Sequence, residues 1–109
     1  MVAVGTNAAG GTTTGQQITA LGYSALATNT TGSDNTSVGY NSLHDSTTGN
    51  YNTAVGSKSM YRNTTGSDNA ALGTHSLYSA TTAARNTGLG ESALRLSLIH
   101  ISEPTRRYF

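Results

Sequence analysis

Glycine falls at positions 5, 22, 39, 56, 73 and 90, each 17 residues after the last, with no insertion or deletion to disturb the interval. A second series, Gly15, Gly32, Gly49 and Gly66, keeps the same beat and breaks only at Ala83. Self-similarity at a fixed short period means that one small unit is stacked on copies of itself, which rules out most globular architectures at once. Set in register, the units read VAVGTNAAGGTTTGQQI, TALGYSALATNTTGSDN, TSVGYNSLHDSTTGNYN, TAVGSKSMYRNTTGSDN and AALGTHSLYSATTAARN, followed by the start of a sixth, TGLGESALR.

Two apolar columns run through these units. Val4, Leu21, Val38, Val55, Leu72 and Leu89 each precede the first glycine series, and Ala9, Leu26, Leu43, Met60, Leu77 and Leu94 follow five residues later. That is too sparse for amphipathic helices, which need three or four apolar positions per two turns. The Thr, Val, Tyr and Gly content also disfavours helix. Short extended segments between Gly, Asn and Ser turns fit better, so the expected fold is all-β: a parallel β-solenoid, β-roll-like, with coils of 17 residues. Stacking would place each column on itself at about 4.8 Å. Asn35, Asn52, Asn69 and Asn86 would then form a ladder of stacked amides. The TTG triplets are expected to supply β-branched strand ends and a glycine for a positive-φ corner. Two large apolar side chains per coil are few against the entropy of ordering a whole coil. That imbalance points to a homo-oligomer in which several solenoids share an interior.

Composition narrows the function. The chain has 109 residues with a formal net charge of +1. Up to Arg95 the cations Lys58, Arg62, Arg85 and Arg95 balance Asp34, Asp45, Asp68 and Glu91. A neutral body lacks the basic stripe that nucleic acid or an anionic membrane surface would require. Cysteine is absent, which excludes disulfides and thiolate metal sites. No apolar run is long enough to insert into a membrane, and the first residues lack the pattern of a secretory signal.

The core [ST]-x-[VL]-G-x-x-[AS]-L followed by TTG, clearest at residues 35–49 and 52–66, resembles the repeats of phage and prophage tail-fibre proteins. It is also similar to the YadA-like head repeats of bacterial trimeric autotransporter adhesins. The resemblance spans residues 2–94. It implies a trimeric fibre segment, shaft or head, that spans distance and contacts a host-surface glycan or protein. The corresponding location is a virion tail fibre, or the bacterial cell surface if the chain is an adhesin head. No catalytic residue, cofactor or metal belongs to that pattern, and the chain is expected not to be an enzyme.

Individual side chains give few competing sites. His44 and His75 lie in different columns and coils, as turn histidines do. Asp34 and Asp68 share a column but stand two coils apart with Tyr51 between them, roughly 10 Å, too far to share one calcium ion. Asn29, Asn35 and Asn63 match the N-glycosylation sequon, as a Thr-rich repeat makes unavoidable. The tyrosines are the surface candidates: Tyr23 and Tyr40 in one column, Tyr61 and Tyr78 in another, and Tyr51 in the turn GNYN. Such aromatic rows could stack on sugars or pack between chains, and their fidelity to the beat favours packing. Ice binding is a further alternative for a Thr-rich solenoid. It requires Thr at i and i+2 on one strand face, whereas the TTG threonines are adjacent.

The array stops in mid-coil, and neither end carries an atypical capping unit, so residues 1–95 read as a window onto a longer array. After Arg95 the composition changes abruptly: the lone Pro104 and Phe109 both fall there. LSLIHISEPTR, residues 96–106, resembles the conceptual translation of a tagmentation sequencing adapter over eleven consecutive positions. Residues 96–109 are therefore expected to form no native domain.

Overall fold

The chain folds as a parallel β-solenoid. A computed structural model describes residues 1–95 and, as backbone, 105–108. Six short strands, β1 (Val2–Val4), β2 (Thr19–Leu21), β3 (Thr36–Val38), β4 (Thr53–Val55), β5 (Ala70–Leu72) and β6 (Asn86–Leu89), lie side by side in sequence order. Every pairing is parallel and advances by one period, from Val2 opposite Thr19 to Leu72 opposite Leu89. No helix occurs among the described residues. A seventh strand, β7 (Thr105–Tyr108), continues the sheet but not the beat. Thr105 lies opposite Asn86, where the 17-residue interval would place Glu103. The rest of the segment singled out after Arg95 lies outside the described residues.

Strands β1 to β5 are three residues wide and β6 four, and their pleat sorts the sequence. The middle residue points inward, so Ala20, Ser37, Ala54 and Ala71 are buried at 3% exposure or less. Its two neighbours point outward. Of the two apolar columns, the first is therefore not core in the single chain. Leu21, Leu72 and Leu89 are 37%, 50% and 53% exposed. The interior holds one row of large side chains, Leu26, Leu43, Met60 and Leu77, all fully buried against the small inward strand residues, with Ile18 buried outside that row in the first coil.

Each member of that row sits at φ near +50°, from 49° at Leu43 to 55° at Leu26. A left-handed leucine costs about 1–2 kcal/mol. Full burial of its side chain returns about 1.5–3 kcal/mol, so the corner persists. Two further non-glycine columns share this conformation, represented by Ser24 at 53° and Asp34 at 59°. The glycine of TTG is not the positive-φ corner. That role belongs to the first series, Gly5 to Gly90, with φ from 113° to 131°. The TTG glycines are needed for space. A Cβ on Gly66 would collide with the carbonyl oxygen of Ala83 in the next coil and with the side chain of Asn63 three residues earlier. Where the beat fails at Ala83, position 80 is alanine instead of asparagine, so the second obstacle is gone.

Backbone hydrogen bonds join coils well beyond the strands. Leu26, Leu43 and Met60 donate their N–H to Ser42, Ser59 and Ser76, each at 2.9 Å. The buried asparagines bond mainly to backbone. Asn35 Oδ1 accepts from the Asn52 N–H at 2.9 Å, while Asn35 Nδ2 donates to the Gly49 carbonyl at 2.8 Å. The pattern recurs at Asn52 and Asn69, with amide-to-amide contacts of 3.2 and 3.3 Å added in the last two steps. Thr13, Thr30, Thr47 and Thr64 form an outer counterpart, each hydroxyl donating to the carbonyl one coil on.

Three substitutions separate these contributions. Leu43→Ala is expected to lower unfolding free energy by about 2–5 kcal/mol. Leu72→Ala should cost well under half of that in a dilute single chain, because its side chain is already half-exposed. Gly39→Ala would force a non-glycine into φ +130° with its Cβ 2.7 Å from the Gly56 carbonyl, and should cost about 2 kcal/mol or more. Urea unfolding of the three variants beside the parent gives the ranking.

Candidate surface site

The turn that follows each strand carries most of the chemistry. One column there runs Gly10, Ala27, His44, Tyr61, Tyr78, Arg95. Because the coils are in register, His44 stacks on Tyr61 at 5.1 Å and 13°, and Tyr61 on Tyr78 at 5.4 Å and 6°. The Arg95 guanidinium lies 5.6 Å from the Tyr78 ring centre on the same pile. Four consecutive coils thus contribute one stack with an imidazole at one end and a guanidinium at the other. His75, three residues before Tyr78 and one period after Lys58, tilts onto Tyr78 at 5.4 Å and 48°.

Tyr23 and Tyr40 form a second stack at 5.7 Å and 17°. Tyr51 lies in the other turn column, 61% exposed, at φ 59°. Four of the five tyrosines picked from the sequence are therefore paired within the chain, and ring faces that could have received a sugar are turned onto each other. The geometry adds two residues to the tyrosine column: His44, expected only as a turn histidine, and Arg95, counted only as a cation. His44 stands one period before Tyr61 and Arg95 one period after Tyr78, an arithmetic signal already present in the repeat.

Electrostatics follow from the same packing. His44 Nδ1 is 2.8 Å from Asp45 Oδ1. Partial burial of the Tyr61 phenol raises its pKa, the nearby Asp45 carboxylate and the hydroxyls of Tyr78 and Tyr40 push the same way, and Arg62 opposes them. Among the described residues, Lys58, Arg62 and Arg95 have no carboxylate within ion-pair distance.

The other outward surface is the sheet face. One row reads Val2, Thr19, Thr36, Thr53, Ala70, Thr87 and the next Val4, Leu21, Val38, Val55, Leu72, Leu89. Ala70 interrupts the threonines and leaves a shallow apolar groove of about 250 Å³ flanked by Val55, Leu72 and Leu89. The sequon residues Asn29, Asn35 and Asn63 are fully buried, so none can accept a glycan in the folded chain. Asp34 and Asp68 lie in one column with Tyr51 between them. Among the described residues no three His, Asp or Glu side chains converge as a metal set, and no helix is long and apolar enough to cross a membrane.

Comparison with protein-family models, curated proteins and solved structures yields no match.

The raised Tyr61 pKa has a defined consequence. Tyr61 should ionise at higher pH than an exposed tyrosine, and Asp45→Asn should bring it nearer the ordinary value, read by phenolate absorbance. The unfolded chain deprotonates first, near pH 10. Stability from this group is therefore present below that pH and declines as pH rises through the folded pKa.

Proposed function

We propose that this chain is a structural and adhesive repeat segment of a fibrous surface protein. The preferred reading is the shaft or head of a phage tail fibre, built as a homo-oligomer, with a trimer as the expected state. On that reading the segment sits in a virion tail fibre, spans distance, and presents its turn edge to a host-surface glycan or protein. The alternative is the head of a bacterial trimeric autotransporter adhesin on the cell surface.

One observation carries the reading: an aliphatic row, Val4 to Leu89, lies on the outward face of the sheet in every coil. A continuous apolar stripe of this kind marks an association surface. Each coil buries a single large aliphatic of its own, so a shared interior between copies would supply the burial that one column lacks. Because the fold adds identical coils along one axis, length can increase without altering the cross-section.

A second reading uses the same face. Thr19, Thr36 and Thr53 form an outward row beside Leu21, Val38 and Val55, so hydroxyls and methyls alternate across the strands, with an aliphatic and not a second threonine at i+2. Ice binding would need that face free, whereas association would cover it.

Sedimentation velocity decides between them. The fibre reading expects a stable oligomer, three chains for the tail-fibre form, which Leu72→Lys converts to monomer. A parent chain that remains monomeric at micromolar concentration and shows thermal hysteresis would establish the ice-binding alternative. A monomer without hysteresis would defeat both.

A further inference from the structure

We infer that the turn edge bearing Tyr61 and Tyr78 binds an acidic saccharide, one carrying single carboxylates along a chain of hydroxyls. The inference rests on the host-contact role proposed above and names the ligand class for it. Aromatic side chains usually recognise neutral sugars by offering a ring face. Here those faces are occupied: Tyr61 lies between His44 and Tyr78, and Tyr78 lies between Tyr61 and Arg95. What remains for a ligand is the edge of the stack. It comprises a row of phenol hydroxyls, which both donate and accept hydrogen bonds, at the spacing of the coils. The rings repeat at 5.4 Å, comparable with the advance of one sugar in an extended pyranose chain.

Charge selects among saccharides. Three of the four cations up to Arg95 lie on this edge, Lys58, Arg62 and Arg95, against two of the four carboxylates, Asp45 and Glu91. Arg95 lies on the Tyr78 ring, and Arg62 is close enough to act on the Tyr61 phenol. None of the three has an ion-pair partner among the described residues, while the adjacent Asp45 is held by His44. The opposite edge, preceding each strand, carries Asp34 and Asp68 with Arg85. The strip therefore carries a one-charge excess of cations, none in a direct ion pair among the described residues, beside hydroxyl donors. That pattern suits one carboxylate per sugar better than a densely sulfated polymer, which favours converging cations.

The full chain is titrated with tri-galacturonate, 3′-sialyllactose and neutral maltotriose by NMR chemical-shift perturbation. Binding of either acidic sugar, with shifts at Tyr61 and Tyr78, is expected. Which of them binds separates a uronate polymer from a sialylated glycan as the source. Arg62→Gln should weaken binding about three- to tenfold, the range for an exposed to half-buried charge-assisted bond. Raising salt from low to high ionic strength should weaken it further. Tyr61→Phe keeps the stack and removes one hydroxyl, so it should also weaken binding while leaving the unfolding midpoint close to the parent's. Equal binding of maltotriose, absence of binding by both acidic sugars, or an Arg62→Gln variant with parental affinity would overturn the inference. An oligomeric chain that ignores acidic sugars would defeat this inference alone. A monomer that binds them would defeat the fibre reading alone.

Discussion

Everything in this fold depends on parallel hydrogen bonding between residues one period apart. Each coil satisfies its backbone against the coil before and the coil after, and the interval never slips between Val2 and Leu89. A one-residue slip would turn each strand's inward alanine or serine to solvent and drive its threonine or aliphatic neighbour inward. The thin interior could not accept that exchange, because Leu26, Leu43, Met60 and Leu77 already fill it. Fixed register is then what makes identical side chains meet. The buried asparagine ladder, the outer threonine ladder and the stacked rings are three results of one constraint.

The glycines and asparagines show how the register is enforced. The first glycine series holds a backbone angle near +130°, where a side chain would strike the next coil. The second series, Gly15 to Gly66, instead lets the carbonyl of the next coil approach to where a Cβ would stand, and at Gly32 and Gly66 it also leaves room for an asparagine three residues earlier. Asparagine in turn replaces peptide partners that a corner lacks, donating to a carbonyl and accepting from an N–H of the adjacent coil. Such buried amides are safe while both ends are engaged and costly otherwise. Exceptions follow the same logic, as Ala80 and Ala83 occur together.

Legibility in the sequence was uneven for physical reasons. The solenoid, its parallel strands and its 17-residue coil were readable because every column repeats without a gap. The inner apolar row was readable too. The outer row could not be told from the inner one, since hydrophobicity alone does not say which face of a three-residue strand meets the core. The TTG glycine was given the wrong reason, because a shortage of space and a positive φ leave the same letter in the sequence. At the turn edge the tyrosine columns were visible, yet Tyr23, Tyr40, Tyr61 and Tyr78 turned out to stack within the chain. His44 and Arg95 were missed because the column was followed as tyrosine and not as position.

The sequence by itself determined the period, the strand type, the order of the sheet and the neutral charge of the repeat body. Those properties are set by composition and spacing, and a strict repeat leaves one way to align its copies. Only the tertiary structure decided which apolar column faces water, which corners are left-handed, and that the aromatic faces are spent on one another. Those outcomes depend on the pleat of a strand and the closure of a corner, where a shift of one position changes the face a side chain presents.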